Sequence, residues 1–147
     1  MRGPSGLLLD TDVVAEVRRA EPHPAVVDFL QRRRHLGIYI SALSVAELHQ
    51  LGGREGGGPD DGGAWLGELA SRFSGFILPV DLDVAMAWAP MAGHPEVTAV
   101  DSLIAATAVQ HCLTIVSRNV DCFRKLAIPA IDPWQVGQFA VEVAPPN

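Results

Sequence analysis

Lysine is almost missing from this 147-residue chain: ten of its eleven basic residues are arginine, and Lys125 is the other. With a formal charge of −6, the chain does not coat nucleic acid by bulk electrostatics, a mode that needs a strong excess of Lys and Arg. Cysteine is scarce as well. Cys112 and Cys122 form no metal-ligand spacing, and the five histidines (His23, His35, His49, His94, His111) make neither HxxxH nor HExxH. A zinc enzyme is therefore not expected. The lack of a Cys–His or Ser–His arrangement removes the usual basis for covalent catalysis. No apolar run approaches the roughly 18 residues of a membrane span, and no charged-then-apolar leader opens the chain. The expectation is a soluble, cytoplasmic protein with free thiols and no membrane partner.

What is present is apolar. At 48% hydrophobic the chain can bury one compact core, so a single domain over residues 1–147 is expected. Strands are predicted at GLLL, GIYIS, FILPV, LTIVS and, at a sheet edge, AIPAI. Helices are predicted over DTDVVAEVRRA, PHPAVVDFLQRRR, LSVAELHQL, AWLGELASRF, DVAMAWAPMAG, Thr98 to Cys112, and a short stretch near Asp121 to Lys125. The Thr98–Cys112 segment is apolar almost all round, the mark of a buried helix. Gly52 to Gly63 (GGREGGGPDDGG) is too rich in Gly, Pro and Asp for regular structure and reads as a flexible loop, with residues 135–147 as a tail. Strands alternating with helices imply an α/β fold with a parallel sheet covered on both faces.

Against that apolar background three acids stand out at the ends of apolar runs: Asp10 after Leu7-Leu8-Leu9, Glu47 in SVAEL, and Asp101 in VDSLIAATA. Acids avoid such neighbours unless something positive compensates them. A divalent cation fits, because Mg2+ takes oxygen ligands and is commonly held by one or two carboxylates plus waters and substrate phosphates. In an open parallel sheet, ligands bind beyond the carboxyl ends of the strands. Asp10 ends one strand, and Ser117 and Asn119 follow another. The same residues have a plainer reading: Ser44-x-x-Glu47 and Thr98-x-x-Asp101 fit capping boxes, and Asp10 and Asp12 fit helix caps. Trp88 and Trp134 read as packing residues.

The ordered set LLLDTD, ISALSVAEL, FILPVDLDVAMAWA, VDSLIAATAVQHCLTIVSRN and IPAIDPW resembles, from about Leu7 to Trp134, PIN-domain proteins. Most closely it resembles the toxin ribonucleases of type II toxin–antitoxin modules, the VapC and FitB-like group. The resemblance implies a PIN-like three-layer sandwich with a central, mostly parallel sheet flanked by helices. It implies a metal-dependent endoribonuclease in which Asp10, Glu47 and Asp101 are catalytic and hold Mg2+ (or Mn2+), so that metal-activated water attacks an RNA phosphodiester. It also implies a homodimer and a small VapB-like antitoxin that covers the acidic pocket.

Two departures from the family pattern matter. Asp12 stands where the family commonly has Asn, adding a charge beside the pocket or capping a helix. In SRNVDCF, Cys122 fills the slot of the family's fourth acid and Asp121 lies one place earlier. On a helix that shift rotates the side chain by about 100°, so Asp121 joins the expected metal ligands from a displaced position. Ser117, Asn119 and Asp12 are expected to orient groups around the ion rather than bind it.

Two other readings are carried forward. The displaced acid motivates a non-catalytic PIN-fold binding subunit. LLLDTDVV also fits the DxDx(T/V) opening of haloacid-dehalogenase-like phosphatases, although Lys125 is followed by Asp132 alone and not by the acidic pair that those enzymes need.

Overall fold

The computed structural model describes residues 6–54 and 76–135. Within them, strand β1 (Gly6–Leu9) leads through α1 (Thr11–Arg18), α2 (Pro24–Arg33) and a 3-10 turn at Arg34–Leu36 into β2 (Ile38–Ser41). There follow α3 (Ala42–Arg54), β3 (Ile77–Leu78), α4 (Leu82–Trp88), α5 (Ala99–His111), β4 (Leu113–Val116), α6 (Val120–Lys125) and β5 (Ala130–Ile131). The sheet order is β3-β2-β1-β4-β5, and every pairing is parallel.

Alternation along β1 explains why the sheet is covered on both sides. Successive strand side chains point to opposite faces. Leu7 and Leu9 accordingly join Val13, Val14, Val26, Phe29, Ile40 and Leu48 in one core cluster under α1, α2 and α3. Leu8 joins Ile104, Ala105, Ala108, Ile115 and Phe123 in a second cluster under α5 and α6. Each fully buried leucine or isoleucine contributes about 1.5–3 kcal/mol by removal from water, so these two layers hold the sheet. Glycine suits the start of β1, since a Cβ at Gly6 would come to 3.0 Å from both the Gly37 carbonyl oxygen and Leu113, tight enough that a neighbour would have to give.

Local signals set the helix starts. Asp10 caps α1 by accepting from the Thr11 N–H at 2.8 Å, Pro24 occupies the first turn of α2, and Asp81 caps α4. Thr98 caps α5, with its hydroxyl accepting from the Asp101 N–H at 3.1 Å. These groups satisfy N–H donors that a helix cannot pair internally. At its other end α5 closes on Cys112, a left-handed residue at φ 56° whose N–H returns to Ala108.

Several sequence expectations need correction. The predicted glycine loop begins too early, because α3 continues through Gly52 and Gly53 to Arg54; its remainder lies outside the described residues, as do the helix AWLGELASRF and the tail beyond Gln135. The predicted strands FILPV and AIPAI shrink to two residues each, Ile77–Leu78 and Ala130–Ile131. Both are edge strands, each flanked by a proline (Pro79, Pro129) that has no N–H to give to a ladder. Ser44-x-x-Glu47 is not a capping box: Ser44 sits inside α3, and the Leu43 N–H at that helix's start is taken by Ser41 at 3.1 Å.

Candidate active site

From β1 the chain proceeds outward on one side to β2 and β3, then returns to the other side as β4 and β5. Strand order therefore reverses between β1 and β4, and a crevice at their carboxyl ends is where ligands bind in such sheets. Asp10 ends β1 there, and Ser117 ends β4 beside it.

Asp10 is nearly buried, at 7% exposure. Its Oδ1 accepts from the Thr11 N–H, and its Oδ2 accepts from the Ser117 hydroxyl at 2.8 Å. Ser117 in turn accepts from the Asn119 N–H at 2.9 Å, so the Asn119 contribution comes from its backbone. Thr11 extends the chain of contacts to α3: its hydroxyl donates to Glu47 Oε1 at 2.5 Å and meets the buried Ser44 Oγ at 3.0 Å. Ser44 and Glu47 are one helical turn apart and share a face. Thr11 and Ser44 were not singled out as site residues by the sequence; the signal was their position, one beside Asp10 and the other a turn before Glu47.

Electrostatics tie in the remaining acids. Burial, then the neighbouring charge of Asp12, and in smaller part that of Asp101, push the Asp10 carboxyl up to about 6 from an ordinary 3.8. Asp101 also takes a long contact from the Cys122 thiol, 3.8 Å from its Oδ2. Burial first, and Asp101 second, hold that thiol above its usual range. Asp12 Oδ2 accepts from the Arg118 N–H at 2.9 Å, while its Oδ1 is buried with no partner among the described residues. Burial raises the Asp12 carboxyl as well.

The structure thus brings Asp12 and Asp101 each within electrostatic reach of Asp10 and links Glu47 to Asp10 through Thr11. It does not bring Asp121 to them. That side chain is 88% exposed and lies 4.0 Å from Arg124, as the one-residue shift implies, and Cys122 occupies the inward position. Among the described residues, no three His, Cys, Asp or Glu side chains stand close enough together to hold one ion between them. The donor chemistry still fits a cation: the groups are hard carboxylate oxygens, one buried oxygen lacks a partner, and Asp10 is burdened by uncompensated charge. Mg2+ keeps several waters and needs only one or two carboxylates. A cavity of about 430 Å³ lined by Ala15, Glu16, Leu48 and Leu51 lies between α1 and α3 and contains none of these acids; its size does not locate the chemistry.

A model of the PIN domain family matches residues 7–129, and with the sheet topology this shows that the chain belongs to the PIN-domain family. Its relatives are toxins of the VapC and FitB-like group. The chain is 33% identical over 138 residues to Toxin FitB of Neisseria gonorrhoeae (strain ATCC 700825 / FA 1090), a match covering 87% of this chain and 98% of that protein. It is 30% identical over 137 residues to VapC ribonuclease Y4jK of Sinorhizobium fredii (strain NBRC 101917 / NGR234), covering 88% and 98%. The crystal structure of FitAcB from Neisseria gonorrhoeae superposes with a TM-score of 0.74 at 33% identity, covering 87% of this chain and 98% of that one. The dehalogenase-like alternative is set aside: Lys125, which such a site would need, pairs with Glu96 at 3.1 Å. No helix among the described residues is long and apolar enough to cross a membrane.

Proposed function

We propose that this chain, as a single PIN domain over residues 1–147, is a Mg2+- or Mn2+-dependent endoribonuclease and the toxin of a type II toxin–antitoxin module. The observation that carries the reading is the run of hydrogen bonds Ser117–Asp10–Thr11–Glu47 across the β1–β4 crevice, with Asp101 acting on Asp10. The similarity to a VapC ribonuclease supports the substrate class.

Asp10 and Asp101 would be the carboxylates that hold the cation, with Glu47 as the acid that serves the attacking water. When bound, the cation supplies Lewis acidity to the attacking water and to the phosphate. Ser117 and Thr11 keep Asp10 oriented. Glu47 Oε2, the oxygen that Thr11 leaves free, accepts the proton of a water whose oxygen bonds to phosphorus as the bond to the leaving ribose oxygen breaks; solvent protonates the leaving oxygen. Thr11 fixes Glu47 for this proton transfer, a role in which position counts as much as basicity. The resemblance to VapC and FitB-like toxins seen in the sequence supports a homodimer and a small VapB-like antitoxin as partners.

A second reading has its own observation. Cys122 stands inward where the family pattern has an acid, and among the described residues no three acids form a common ligand set, which favours a non-catalytic PIN-fold binding subunit. Cleavage of total RNA by purified protein decides between them, with Mg2+ or Mn2+, with chelator, and with Asp101→Asn, read by mapping of cut ends. Discrete metal-dependent cuts that vanish in Asp101→Asn are expected. Their absence in folded, antitoxin-free protein favours the binding subunit, and cuts that survive the substitution indicate a contaminating nuclease.

A further inference from the structure

Resting on the ribonuclease reading, we propose that Arg118, seated over the Trp134 ring, positions an RNA phosphate beside the acids. Carboxylates repel a phosphodiester, so a strand entering the β1–β4 crevice of a chain with charge −6 needs fixed positive charge near the reacting phosphate.

Arg118 is built into that place. It follows Ser117, whose hydroxyl holds Asp10, and its own N–H is held by Asp12 Oδ2 at 2.9 Å. Its guanidinium carbon lies 3.9 Å from the centroid of the Trp134 ring. Trp134 packs against the core cluster of Leu7, Leu9 and Val116, which makes the platform rigid. A guanidinium stacked on a ring is already ordered, and less rotamer freedom is lost when its planar fork meets phosphate oxygens.

The side-chain donors of Arg118 are also uncommitted. Among the described residues its guanidinium makes no hydrogen bond and no ion pair. By contrast, Arg19, Arg32, Arg124 and Lys125 face Glu16, Asp28, Asp121 and Glu96, and Arg33 lies over Phe29. Arg34 precedes β2 and so lies at the amino ends of the parallel strands, away from the crevice at their carboxyl ends. The charge of Arg118 already acts on Asp12, and through Asp12 it borders Asp10.

The test uses the full chain and bulk tRNA. Binding is followed by fluorescence anisotropy against salt in an Asp101→Asn background, and cleavage kinetics are measured in the parent. Arg118→Ala is expected to weaken binding about tenfold, the size of a lost charged hydrogen bond. The slope of log K against log salt should fall by about 0.7–0.9, the share of one phosphate on a single or paired strand. In cleavage, KM rises while kcat stays near the parent value. Arg118→Lys should keep the slope and recover only part of the affinity, because it retains charge without the planar fork. An unchanged slope and KM in Arg118→Ala, with the parent still cutting, overturns this assignment alone. A parent that neither cuts nor binds RNA removes the ribonuclease reading and this assignment together.

Discussion

The protonation of Asp10 couples the site to stability. Its carboxyl is raised from 3.8 to about 6, by burial first and Asp12 second, so its ionised form is worse off in the fold than in the unfolded chain. The sign follows: stability from this group is full below about pH 3.8 and is lost as pH rises to about 6. Metal-free Asp10→Asn should therefore be more stable than the parent at pH 7.5, by on the order of 1–3 kcal/mol, with the difference closing toward pH 4. Denaturant unfolding at the two pH values checks this, and an Asn variant less stable at pH 7.5 contradicts it. At this scale the candidate acids were legible because Asp10, Glu47 and Asp101 interrupt apolar runs. Thr11 and Ser44 were not, since a hydroxyl one residue from an acid or one turn before it is common in any chain and gains meaning only when α1 and α3 pack together.

At the scale of elements, β1 is the part with least tolerance. It is sandwiched between β2 and β4, and all four of its residues are buried. Gly6→Ala is predicted to destabilise the fold by about 1–3 kcal/mol, the usual range for overpacking, because one of the atoms its Cβ meets at 3.0 Å is a backbone oxygen. A thermal melt reads it directly. The central strands were readable from short apolar runs, and the capped helices from Asp10, Asp81 and Thr98. Edge strands and the end of α3 were not, because pairing on one side weakens a strand by an amount that composition does not record, and because glycines do not end a helix whose other residues pack.

At the scale of the molecule, the acids belong to the folded state as a group. A cation that binds them in the native state alone must stabilise it by mass action, about 2.7 kcal/mol at a hundredfold excess over Kd. Mn2+ is accordingly predicted to raise the melting temperature of the parent and to leave an Asp10→Asn, Asp101→Asn double variant unmoved; equal shifts in both proteins would place the ion elsewhere. The sequence by itself determined the alternation of elements, the two-faced apolar core and the acids at the ends of apolar runs, because these follow from periodicity and from the aversion of charge to apolar neighbours. Only the tertiary structure decided which groups meet. Reversal of strand order at β1 and β4 puts Ser117 on Asp10, helix rotation turns Cys122 toward Asp101 and Asp121 toward solvent, and the return of the chain after β5 lays Trp134 under Arg118. Contacts between residues tens of positions apart depend on packing angles and register, which no local pattern contains.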